Sequence, residues 1–203
     1  LKKDHIQEME QYQSVLPNAM FPPTYLIVAD FKGIAQASKY GQLVSIEKIY
    51  TENSDKLKNT IVHELTHFQQ AMTMGIQKYQ GMYSEPKNML DIILREGGAD
   101  FVTHRLVRKT EDQASKLKNY EKNETELWTK FNNDLKNQSI DYWVNVTYDD
   151  DNGGNPVQVG YGLGYKIVAS YYDQAVDKKQ GLIDILMMND AQDFLLKSNY
   201  KPL

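Results

Sequence analysis

Residues 54–75 read SDKLKNTIVHELTHFQQAMTMG, and this stretch decides the architecture. Ser54 is a good helix cap, Asp55 suits the positive end of the first turn, and Gly75 marks the stop. Between them Leu57, Ile61, Leu65, Phe68 and Met72 recur at helical spacing, which predicts one buried face. Inside the helix stands His63-Glu64-Leu65-Thr66-His67. Positions i and i+4 lie about 40° apart around the axis and one turn apart along it, so both imidazoles can reach one metal ion. Glu64, about 100° round from His63, leaves the ligand row yet stands beside the open coordination position. A base must sit there to take a proton from metal-activated water. Random placement at this composition gives the pattern roughly 0.004 times per chain. Two surface histidines on a helix would be the plain alternative. The mid-helix position on an amphipathic segment counts against it, as does spending two of only four histidines there.

A catalytic zinc site usually takes three protein ligands and leaves one position open. Six residues beyond His67 the chain has Thr73, so a third histidine at that spacing is excluded. Arg95-Glu96-Gly97-Gly98-Ala99-Asp100 supplies a carboxylate instead, with Glu96 29 residues beyond His67. Glu96 is the expected third ligand. Asp100, one turn on, is expected to accept a hydrogen bond from the far ring nitrogen of a ligand histidine. Glycine in a helix interior costs ~1 kcal/mol relative to alanine. Gly97 and Gly98 therefore suggest close packing, expected against the histidine helix. His104, one further turn along, is read as structural rather than as a ligand, and His5 as a surface residue.

Working outward, Asp4–Val15 reads as a helix, and Pro17 and Pro22-Pro23 keep the following chain extended. Thr24–Ala29 reads as a buried strand, residues 31–40 as a loop, and Gln42–Ile46 as a second strand. Met89 or Leu90 to about Arg108 should form the next helix. Residues 112–138 read as one or two exposed helices, 141–146 as extended, and 149–156 as a loop of turn formers. Helices follow from about Tyr161 to Val176, from Leu182 to Met187, and from Asp190. The class is α+β: mostly helical, with a small N-terminal sheet packed on the histidine helix. A single domain is expected over 1–203, with 1–53 as its helix-and-sheet region and 54–203 carrying the site and the C-terminal helices.

The formal net charge of -4 argues against a nucleic-acid partner. With no cysteine in the chain, thiolate metal sites and disulfides are excluded. No apolar run reaches the ~20 residues that cross a bilayer. A start at Leu1 rather than Met suggests an upstream segment already removed, and thus an exported protein (periplasmic, lipoprotein or secreted), with a cytoplasmic location left open.

The motif His63-Glu64-x-x-His67, with Glu96 and Asp100 downstream, resembles that of the zincin metallopeptidases of the gluzincin branch. Glu96-Gly97-Gly98-Ala99-Asp100-Phe101 and Gly160-Tyr161-Gly162-Leu163-Gly164-Tyr165-Lys166-Ile167-Val168 narrow the likeness. They resemble a bacterial group of predicted zinc-dependent proteases, the DUF2268 type, to which gliding-motility lipoproteins look related. The resemblance covers about residues 55–200. It implies a zincin-like fold, Zn2+ as cofactor and a peptide or protein substrate. It also implies a strand edge beside the cleft that pairs with substrate backbone, for which Gln42–Ile46 is the candidate. Finally, it implies a phenol that donates to the oxyanion, from Tyr165 or Tyr161. The same tyrosines also fit a core stripe with Val168 and Tyr172. Two other readings stand beside hydrolysis of peptide bonds: a non-catalytic protein with a structural or assembly role at the cell envelope, and a metallohydrolase with a non-peptide substrate. A purely structural zinc has no use for Glu64, and usually closes its fourth position with a protein ligand.

Overall fold

The computed structural model describes residues 2–28, 35–38, 40–46, 55–84, 88–135, 141–145 and 158–202. The expected cap at Ser54 and the loop at 149–156 lie outside them. Helix α1 (Lys2–Val15) is followed by strands β1 (Thr24–Ile27), β2 (Ala35–Ser38) and β3 (Gly41–Ser45). Then come the histidine helix α2 (Asp55–Met74), α3 (Ile76–Met82) and α4 (Met89–Phe101). The C-terminal part comprises α5 (Ser115–Glu121), α6 (Glu124–Asp134), α7 (Val159–Gln174), α8 (Lys178–Met187) and α9 (Ala191–Ser198). The protein is α+β, mostly helical, with one small mixed sheet near its N-terminus.

Several local expectations need correction. Ala35–Ser38 lies in the stretch read as a loop, yet it forms β2, antiparallel to β3. Small side chains gave no strand signal there; pairing with β3 supplies it. The strand order is β1-β3-β2, with β1 parallel to β3. The strand at Gln42–Ile46, expected to offer its edge to a substrate, is therefore central and hydrogen-bonded on both sides. β1 is not buried throughout, since Tyr25 and Leu26 are 47% and 43% exposed. Asp141–Asn145 is a wide helical turn rather than extended chain. Residues 115–134 are amphipathic rather than plainly exposed, with Leu117, Tyr120, Leu127 and Phe131 buried.

Val44 packs with Ile61, Ala35 and Leu57, which seats the sheet on α2. The main core joins Val62 and Leu65 of α2 with residues of α4, α7 and α8, and α2 itself packs on α4 and α8. Met72, predicted on the buried stripe, is 39% exposed near the end of α2. Gln69 clamps the incoming chain: its amide accepts from Met20 N at 3.1 Å and donates to Met20 O at 2.6 Å.

Helices α4 and α7 touch backbone to backbone. A Cβ on Gly97 would stand 2.2 Å from the Gly164 carbonyl carbon, and one on Gly164 would stand 2.1 Å from Ile93 O. The close partner of Gly97 is thus α7, not the histidine helix; a Cβ on Gly98 would meet Ile185 Cγ2 of α8 at 3.4 Å and Gln70 Nε2 of α2 at 3.5 Å. Beyond Phe101 the helix widens over Val102–Val107, where Arg108 N reaches Thr103 O at 2.9 Å.

Arg95 is fully buried. Its guanidinium donates to Leu186 O at 2.8 Å, Met187 O at 3.0 Å and Met188 O at 2.8 Å. These carbonyls lie at the negative end of α8, where a cation is favoured. Replacing Arg95→Met should cost about 3 kcal/mol, because bonds from a charged donor are lost and carbonyls are left dry and unmet. Urea unfolding measures this; a loss below ~1 kcal/mol would show that Arg95 does not anchor α8.

Candidate metal centre

Three side chains from two helices converge. His63 Nε2 and His67 Nε2 are 3.0 Å apart, and Glu96 Oε2 lies 3.3 Å from the first and 3.2 Å from the second. Among the described residues these three form a group able to hold a metal ion. The α2 helix supplies both imidazoles from one face, and the α4 helix carries Glu96 across to them. Tetrahedral ligands bonded at 2.0–2.1 Å to one ion stand about 3.3–3.4 Å apart, close to the observed triangle.

The far ring nitrogens fix which atoms face inward. His63 Nδ1 is 2.7 Å from Asp100 Oδ1, and a carboxylate only accepts, so this nitrogen carries the proton. His67 Nδ1 is 2.9 Å from Gln70 Oε1. The Gln70 amide cannot be turned round, because its Nε2 donates to Arg95 O at 3.0 Å. In their neutral forms both histidines therefore aim a bare Nε2 lone pair at the carboxylate. Three electron pairs on one point repel unless a cation or a proton sits between them, so the donor set fits a divalent metal.

The electrostatics agree. Burial pushes the His63 imidazolium down, but Asp100 and then Glu96 outweigh it and raise its pKa to about 10. Burial likewise opposes the charged form of His67, and Glu96 reverses it. Burial favours neutral Glu96, yet the paired histidines hold it well below the usual carboxylate range.

Around this triangle the structure sorts the other expected residues. Glu64 makes no hydrogen bond or ion pair among the described residues, and its charge is felt by His67, Tyr79 and Tyr161. Tyr161 lies against His63, with ring centroids 6.4 Å apart and planes 22° from parallel. Burial raises its phenol well above the ordinary value, and Glu96 and Asp100 add to this, so the hydroxyl remains a donor. Tyr165 packs edge-on to Phe101 at 5.5 Å, and its buried hydroxyl has no hydrogen-bond partner among the described residues. His104 is buried and bonded through Nδ1 to Thr110 Oγ1 at 3.0 Å, the structural role expected of it. His5 is partly buried rather than a plain surface residue.

Sequence reasoning missed four neighbours. Gln70 fixes the His67 tautomer; its place three residues beyond a ligand, on a buried face, was the available signal. Lys116 sets its ammonium 3.5 Å from Asp100 Oδ2 and 3.6 Å above the Tyr161 ring centre, holding both. Its helix can come this close because Gly162 faces Lys116 O, 2.4 Å from where a Cβ would be. Tyr79 and Tyr83 pair through their hydroxyls at 3.3 Å, and the Glu96 charge reaches both. Only tertiary structure brings these three helices together.

The sequence model of one family, described as "Predicted Zn-dependent protease (DUF2268)", matches residues 25–195. No curated protein matches the chain, and no solved structure does.

Proposed function

From the premise that the chain belongs to the DUF2268 family of predicted zinc-dependent proteases, we propose that it hydrolyses peptide bonds at a zinc ion held by His63, His67 and Glu96. The observation that carries this reading is the triangle of inward lone pairs, with edges of 3.0, 3.2 and 3.3 Å, near a Glu64 carboxylate whose charge reaches His67 and Tyr161 and which is unpaired among the described residues. A bound zinc ion supplies Lewis acidity, lowering the pKa of water toward ~7 and polarising a carbonyl.

The chain's own groups do the rest. Glu64 accepts the proton of the attacking water and delivers it to the leaving amine. Tyr161 donates its phenolic hydrogen to the oxygen that gains charge, the role in which one donor contributes about 10²–10³-fold. Asp100 and Gln70 hold the two imidazoles in the tautomer that ligates. Lys116 keeps Tyr161 and Asp100 in place.

The test is zinc content of the purified chain, together with chelator-sensitive cleavage of a broad peptide library. A chain that binds no zinc and cleaves nothing would end this reading. Asp100→Ala should weaken zinc binding 10- to 100-fold, read by competition with a chromophoric chelator. An unchanged dissociation constant would remove Asp100 from the set that orients His63. Among the described residues no helix is long and apolar enough to cross a membrane.

A further inference from the structure

A concavity opens beside the metal triangle. His67 is one of its walls, and Tyr79, whose ring centre is 6.4 Å from that of His67, is another. Ala37 of β2, Phe68 and Ala71 of α2 and Ile76 of α3 give it an apolar lining with the partly exposed Met72, and Ser38 and Gln80 stand at it as neutral polar residues. Among the described residues no Asp, Glu, Lys or Arg lines it. The cavity holds about 60 Å3. One water needs about 10–15 Å3 on this measure, so the space suits some four to six heavy atoms.

We propose that this cavity receives one aliphatic side chain of the substrate, of leucine, isoleucine or methionine size, next to the bond that is cut. The inference rests on the peptidase reading above and specifies its substrate. Because His67 is both a ligand and a wall, an occupant of the cavity lies one side chain away from the reacting centre. Among the described residues the walls offer an aspartate or lysine no opposite charge to pair with, which selects against both. Phenylalanine, with seven side-chain carbons, is larger than the roughly four to six heavy atoms that suit the space. Four carbons fill it, and an alanine leaves most of it empty. Met72, a flexible thioether side chain left 39% exposed, stands where it can fold over such an occupant.

The test combines cleavage with binding. The zinc-loaded chain is given a peptide library and the new termini are read by mass spectrometry. Leucine, isoleucine and methionine should be enriched at one fixed position flanking the cut, by at least about tenfold over alanine. Separately, the zinc-loaded Glu64→Gln chain is titrated with a blocked peptide carrying leucine, and with the same peptide carrying alanine. The leucine peptide should shift the methyl resonances of Ala71 and Ile76 and bind more tightly. In Ala71→Phe and in Met72→Trp, two fillings of the same space, the leucine-to-alanine selectivity should fall at least about tenfold.

Cleavage with no aliphatic enrichment, or selectivity unchanged in both variants, overturns the inference and leaves the peptidase intact. Leucine-specific methyl shifts with no cleavage of any peptide uphold the cavity and overturn the peptidase. Absence of both binding and cleavage overturns both.

Discussion

Gly97→Ala should destabilise the protein by about 3 kcal/mol or more, whereas Gly98→Ala, one residue on, should be neutral or stabilising by up to ~1 kcal/mol. The contrast comes from what each new methyl group meets. At Gly97 it would lie 2.2 Å from the Gly164 carbonyl carbon and 2.3 Å from Tyr165 N, both backbone atoms with nowhere to go. At Gly98 the nearest atom is Ile185 Cγ2 at 3.4 Å, an ordinary contact, and alanine is the better helix former. Relief at Gly97 requires α4 and α7 to separate. That movement carries Glu96 and Asp100 away from the histidines, and Tyr161 away from His63. Urea denaturation of the two variants, with zinc content alongside, is the measurement. Equal stability of both would mean that the helices do not cross where the structure places them.

The other large effect concerns chemistry rather than folding. Glu64→Gln should lower peptide hydrolysis by about 10²–10⁴-fold while zinc content stays at the wild-type level. Glutamine keeps the size of the side chain and cannot take a proton, and nothing among the described residues depends on the Glu64 carboxylate for a hydrogen bond. Its partner experiment is His67→Ala, which should lose the metal as well as activity, since it removes one corner of the triangle. The two outcomes separate a base from a ligand. Wild-type turnover in Glu64→Gln would reassign the base; full zinc occupancy in His67→Ala would dissolve the site.

Much of this was legible in the sequence, for reasons that can be named. The histidine helix was readable because its apolar spacing, acidic first turn and terminal glycine all agree. The convergence of Glu96 on His63 and His67 was readable from residue chemistry and spacing alone. The strands were harder. Ala35–Ser38 has no β-branched or aromatic side chain, so only its partner β3 identifies it. The order β1-β3-β2 puts the most regular strand in the middle, which no local pattern reveals. Tyr161 and Tyr165 look equivalent in sequence, one helical turn apart. The crossing at Gly97 and Gly164 decides which of them turns toward His63. Lys116 and Tyr83 belong to segments with no pattern linking them to the metal triangle.

Arg95 has a bearing on the order of events during synthesis. It precedes Glu96 directly, and its three acceptors belong to residues 186, 187 and 188, some ninety positions later. Until that portion has left the ribosome, α4 lacks the anchor at its middle, and the carboxylate next to the anchor has no fixed address. Loading of an ion at this triangle should therefore await the synthesis of residues 186–188 and follow the docking of the two helices rather than guide it.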